Sequence, residues 1–138
     1  MNYKPIIITA GEPNSIFLEI FFKTLQKNNF KKPIILIVSK KLLLSQMRLL
    51  KFNFSVNLIN ENNIIFEKLN NKKINIIDIN FKFKKPFSQI SDKSNEYIEK
   101  CFQVSLKLLK TKKFSGMING PISKKNFLKE NFLVLRNI

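Results

Sequence analysis

A chain of 138 residues with 44% hydrophobic content is the size of one globular domain with one core. Its longest apolar stretches, Ile6 to Ala10 and Pro33 to Val38, fall far short of the roughly 18 to 20 residues of a membrane span. The formal charge of +16 invites a nucleic-acid partner, yet only Arg48 and Arg136 carry the forked guanidinium and the lysines are dispersed in ones and twos, so solvated surface is the favoured reading and nucleic acid is disfavoured. One cysteine and no histidine exclude an internal disulfide and a zinc site, and fit a reducing compartment. With only about five apolar residues after Lys4 there is no signal-peptide core, and the expected location is cytoplasmic.

Ile6 to Thr9 is a continuous β-branched run, the pattern of a strand buried on both faces of a parallel sheet. It enters the turn sequence Ala10-Gly11-Glu12-Pro13. Ile16, Ile20 and Leu25 with Phe17, Phe21 and Phe22 then form a broad helical stripe, and Pro13 is expected in the first helical turn, where its missing N–H costs nothing. Pro33 to Val38 repeats the strand signal, and Lys40 to Leu50 predicts a second helix with Leu42, Leu43, Met47 and Leu50 inward. The pattern weakens between residues 53 and 85, where Ser55 to Ile59 and Lys73 to Ile79 read as strands. Ser91 to Asn95 offers capping residues to a helix in which Tyr97, Ile98, Cys101, Phe102, Ser105, Leu108 and Leu109 recur at spacings of three and four. Glu96 and Glu99 open that helix and Lys107 and Lys110 close it, as the helix dipole favours. Phe114 to Asn119 reads as a strand closed by Gly120-Pro121, with a last helix expected from Ile122 to Glu130. Strands alternating with helices predict a single α/β domain over residues 1–138, a mainly parallel sheet with flanking helices.

Two loops leave strands at the end where open parallel sheets bind ligands. In the first, Thr9 to Ser15, Gly11 permits close backbone approach and Glu12 puts a carboxylate at the mouth of the sheet. In the second, Asn119 to Lys124, a helix start, a hydroxyl and an ammonium come together. Gly11, Glu12, Gly120, Pro121 and Lys124 are therefore the candidate substrate-pocket residues, for a phosphate or another polar group. Gly-Glu-Pro and Gly-Pro are equally ordinary exits from a strand. Neither a G-x-G-x-x-G nor a G-x-x-x-x-G-K-[ST] nucleotide motif is present. No catalytic, cofactor-binding or metal-ligating residue is assigned. Asp78 and Asp92, the only aspartates, lie in unrelated segments, and Cys101 sits on an apolar helix face with no histidine to activate it.

The run Ile8-Thr9-Ala10-Gly11-Glu12-Pro13, with Glu19 six residues on, resembles the opening of the 4-hydroxythreonine-4-phosphate dehydrogenases, which read T-P-G-E-P-A-G-I-G-P-E after their first strand. Asn95-Glu96-Tyr97 at the head of a long helix, and Phe114 through Gly120-Pro121-Ile122-Ser123-Lys124, are similar to that family's helix and its V-T-A/G-P-I-N/H-K loop. Ala10 stands in place of a proline, and Asn14, Ser15, Phe17 and Leu18 replace small residues, two glycines among them.

The resemblance implies part of an isocitrate/isopropylmalate dehydrogenase-like fold. It also implies NAD-dependent oxidation of the C3 hydroxyl of 4-phosphooxy-threonine, with a divalent metal polarising the oxygen, and decarboxylation in pyridoxal phosphate synthesis by a homodimer. The family's G-H-T-E segment and three metal-binding histidines follow the position of Lys124, whereas this chain continues into residues 126–130 and an atypical stretch at 131–138 without a histidine. The expectation is an incomplete chain, inactive alone and missing a C-terminal half through a frame change, a premature stop or decay of a paralogue. The alternatives are a non-catalytic α/β module for a small phosphorylated ligand and a basic nucleic-acid-binding protein.

Overall fold

Strand β1 (Ile6–Thr9) lies inside a five-stranded parallel sheet in the computed structural model, which describes residues 3–123. β2 (Ile34–Val38) flanks it on one side and β5 (Gly116–Asn119) on the other, so that Ile7 stands opposite both Ile35 and Met117. β4 (Ile74–Asp78) and β3 (Val56–Leu58) extend the sheet beyond β2, giving the order β3-β4-β2-β1-β5. Every pairing is parallel, as the near-continuous Ile/Val/Leu runs require of strands covered on both faces.

The period of two along each strand divides the core into two layers. Ile7, Ile35, Ile37 and Ile77 face helix α3 (Asn95–Leu109), which contributes Tyr97, Ile98, Cys101, Phe102 and Leu108. Leu36, Val38 and Ile76 face helices α1 (Phe17–Lys27) and α2 (Lys40–Leu49), which bring Leu18, Phe21, Phe22, Leu42, Leu43 and Met47. Phe22 is fully buried with its ring 5.3 Å from Phe52 and 6.0 Å from Phe54. Burial of such a side chain contributes about 1.5 to 3 kcal/mol.

Helix α2 is started by two side chains. The Ser39 hydroxyl accepts from the Leu42 N–H at 3.2 Å, and Asp78 at the end of β4 accepts from the Lys40 N–H at 2.8 Å. Ser91 caps a 3₁₀ turn over Asp92–Ser94 that runs directly into α3.

Two expectations are corrected. Helix α1 begins at Phe17 rather than at Pro13, because the Ser15 hydroxyl donates back to the Glu12 carbonyl at 2.8 Å and accepts from the Phe17 N–H at 3.3 Å, which holds residues 12–15 in a turn. Ile16 and Ile20 are 62% and 52% exposed instead of packed in the core. The competing stripe of Leu18, Phe21, Phe22 and Leu25 carries two aromatic rings, and the helix turns that face to the sheet. The expected helix from Ile122 to Glu130 lies, from Lys124 onward, outside the described residues.

Candidate functional site at the strand ends

From β1 the chain winds through α1 and α2 to the far edge of the sheet, then returns over the opposite face through α3 to β5. The winding direction reverses between β1 and β5, and the crevice beyond the carboxyl ends of two such strands is where open α/β sheets bind ligands. Both candidate loops leave their strands at this point.

They close on each other. The Gly120 N–H donates to the Thr9 carbonyl at 2.6 Å, and the Glu12 N–H donates to the Pro121 carbonyl at 2.7 Å. Gly11 has φ +72°, and a Cβ placed on it would stand 2.5 Å from the Pro121 oxygen and 2.8 Å from the Gly120 carbonyl carbon. A Cβ on Gly120 would meet the Ala10 carbonyl. The close backbone approach that Gly11 permits is thus made by the second loop. Pro121 is exposed, Gly120 is buried, and Lys124 lies outside the described residues.

Glu12 is folded inward, with 4% of its surface exposed, instead of standing at the mouth of the sheet. Its carboxylate accepts from the Asn14 N–H at 3.1 Å and is hydrogen-bonded to the Ser94 side chain just before α3. Burial raises its pKa above the ordinary value, and these two hydrogen bonds oppose the rise. The Asn14 side-chain oxygen accepts from the Ser88 N–H at 3.1 Å, and the Gln46 amide donates to the Pro13 carbonyl at 2.9 Å, so the first loop is held from three directions.

Below the loops runs a buried polar layer that sequence patterning did not single out. The Tyr97 hydroxyl accepts from the Ser39 N–H at 2.9 Å and is hydrogen-bonded to Cys101. Burial pushes the Cys101 thiol up to about 12, against the lowering effect of that hydrogen bond. The hydroxyls of Thr9 and Ser105 lie 2.6 Å apart, and Ser105 donates to the Cys101 carbonyl at 2.8 Å. These groups satisfy one another and brace α3 beneath β1.

Open space at this end of the sheet includes a cleft of ≈ 350 Å³ between the exit of β4 and the start of α3, lined by no residue of either loop. Lys82, Lys93 and Lys100 line it against one carboxylate, Glu96, which is paired with Lys100 at 3.4 Å. The balance of charge suits an anion. Eighteen positions separate the outermost lysines, and only the turn of chain between β4 and α3 brings them together. A larger cleft of ≈ 400 Å³ lies at the opposite end of the sheet, against Ile34 and Ile74 where β2 and β4 begin.

A divalent cation does not fit the described residues, for among them no three His, Cys, Asp or Glu side chains come together as a ligand set. No step of the chemistry is therefore assigned to a cation held by this chain.

A wholly parallel sheet with helices on both faces and a reversal between β1 and β5 defines a doubly wound α/β protein. Residues 29–135 match the family described as "Pyridoxal phosphate biosynthetic protein PdxA", and the chain belongs to that family. Its fold is similar to that of a 4-hydroxythreonine-4-phosphate dehydrogenase from Klebsiella pneumoniae, with a TM-score of 0.75 at 18% identity over 93% of this chain and 40% of that one. A 4-hydroxythreonine-4-phosphate dehydrogenase from Burkholderia phymatum gives a TM-score of 0.69 at 17% identity over 91% of this chain and 38% of that one. The chain thus spans about two fifths of the length of these structures. No curated protein sequence matches it. The family match includes Gly120, Pro121 and Lys124 and begins after the Gly11-Glu12 loop.

Proposed function

We propose that this chain supplies one part of an NAD-dependent 4-hydroxythreonine-4-phosphate dehydrogenase acting in pyridoxal phosphate synthesis, and that these 138 residues do not turn over alone. The family match over residues 29–135 carries the first half of this reading. Support for the second half comes from the side chains: the chain contains no histidine, and no metal-binding trio exists among the described residues. Lewis-acid assistance and the family's imidazole ligands would have to come from residues outside this sequence.

The part played by the chain's own residues is binding. The interlocked loops give the β1–β5 crevice a fixed floor, and the lysines of the cleft between β4 and α3 favour a phosphorylated substrate. NAD would lie against surface that this chain shares with further residues, since neither loop leaves a glycine cradle open. The assembled enzyme is read as a cytoplasmic homodimer. Among the described residues no helix is long and apolar enough to cross a membrane.

A second reading, a non-catalytic module for a small phosphorylated ligand, is favoured by the same lysine cleft. Complementation separates the two. In a pyridoxine-requiring strain without its own family member, the chain alone should fail to restore growth, and co-expression of the remaining family segment should restore it. Growth on the chain alone would overturn the claim of incompleteness, and failure of the pair would favour the binding module.

A further inference from the structure

We propose that the cleft between β4 and α3 is a site for a phosphate dianion, and that Glu96 is its resident counter-ion, which gives up Lys100 when the phosphate arrives. This deepens the binding role proposed above and rests on that reading for the substrate as the source of the phosphate.

Two segments build the cleft. Asn80, Phe81 and Lys82 come from the chain leaving β4, and Lys93, Glu96, Tyr97 and Lys100 come from the 3₁₀ turn and the first two turns of α3. Positions 93, 96, 97 and 100 recur at the spacing of three and four that puts residues on one side of a helix. Lys93 and Lys100 therefore flank Glu96, and Lys82 enters from the other segment. The rings of Phe81 and Tyr97, 4.7 Å apart, make an apolar wall, for the Tyr97 hydroxyl is committed to the Ser39 N–H and to Cys101. A low-dielectric wall beside charges of one sign concentrates their field in the cleft.

Charge selects the ligand. Three ammonium groups against one carboxylate leave a balance of two positive charges, which one phosphate monoester of charge about −2 neutralises and a single carboxylate only halves. Among the described residues Lys82 and Lys93 have no carboxylate partner, and Lys100 has only Glu96. The side chains of that pair are 55% and 83% exposed, so the contact holds Lys100 weakly. An ammonium on a flexible stem serves phosphate as a point charge and can turn from Glu96 to a dianion. The volume of ≈ 350 Å³ is that of a small-molecule site. The cleft of ≈ 400 Å³ at the opposite end of the sheet differs: it has Lys72 and Lys73, but the amide groups of its Asn71 and Asn75 are given to the carbonyls of Phe30, Lys32, Ile34 and Asn70.

The test is calorimetric titration of the full chain at fixed ionic strength with inorganic phosphate, 4-phosphooxy-threonine and acetate. The proposal expects one saturable site for the two phosphates, at least roughly tenfold tighter than for acetate. Lys82→Met with Lys93→Met should weaken phosphate binding at least roughly tenfold, while Lys72→Met with Lys73→Met, which removes the same charge from the other cleft, should change it less than about twofold. Glu96→Gln should strengthen binding roughly threefold, a gain that a general loss of structure cannot produce. All these side chains except Lys100 are changed at exposed positions, and thermal melts confirm that each variant is folded.

Absence of saturable binding overturns the proposal. So does an equal loss in the two lysine pairs, which would reduce the effect to net charge, and so does a Glu96→Gln protein that binds no better than the parent. Inorganic phosphate bound with 4-phosphooxy-threonine excluded keeps the site and removes the substrate as its source. Phosphate binding that survives failure of the complementation test defeats the functional reading and leaves the site standing; successful complementation by a chain that binds no phosphate in this cleft does the reverse.

Discussion

Replacing Gly11 with alanine tests whether the two strand-end loops are locked together by backbone contact. At φ +72° an L-residue costs roughly 1 to 2 kcal/mol relative to its right-handed conformation. The added Cβ would also stand 2.5 Å from the Pro121 carbonyl oxygen, on backbone with little freedom to move because the Glu12 N–H is bonded to the same oxygen. Overpacking of this kind costs about 1 to 3 kcal/mol, so the combined loss is about 2 to 5 kcal/mol. Urea unfolding followed by circular dichroism measures it, with Gly116→Ala as the control. That substitution adds a methyl in open space and should stay within about 0.5 kcal/mol of the parent or stabilise slightly. A Gly11→Ala protein within about 0.5 kcal/mol of the parent would refute the locking argument.

Three further outcomes follow from named contacts. Burial raises the folded-state pKa of Glu12 above its unfolded value, so the stability from proton binding is fully present below the unfolded pKa and is lost as pH rises through the folded one. Glu12→Gln, which keeps an acceptor for the Asn14 N–H, should therefore gain on the parent in urea melts taken from about pH 4 to pH 7; a difference that does not change with pH contradicts this. Ser39→Ala removes the cap of α2 and should cost about 1 kcal/mol, with an unchanged midpoint as the contrary result. Cys101, buried with its thiol held at about 12, should react with iodoacetamide only as fast as the protein opens, so alkylation at the rate of a free thiol in native buffer would contradict its placement.

The strands were legible because a parallel sheet covered on both faces demands unbroken apolar runs, and Ile6–Thr9, Ile34–Val38 and Ile74–Asp78 supply them. Helix α3 was legible from its spacing of three and four. Helix α1 was misread at its start because two apolar stripes compete on it, and the choice between Ile16 with Ile20 and Leu18 with Phe21 is made by the sheet. At the site, the sequence marks the glycines and Glu12 but not what they touch. Gly11 meets Gly120 and Pro121 across more than a hundred residues, and the Ser94 partner of Glu12 lies just before another helix. The lysine cleft was hidden for the same reason, since Lys82, Lys93 and Lys100 follow no local period.

The most direct measurement is NADH formation by the purified 138-residue chain supplied with 4-phosphooxy-threonine, NAD and a divalent cation, with no second polypeptide present. The account predicts no NADH above the enzyme-free rate. Sustained formation that scales with the concentration of this chain would contradict it.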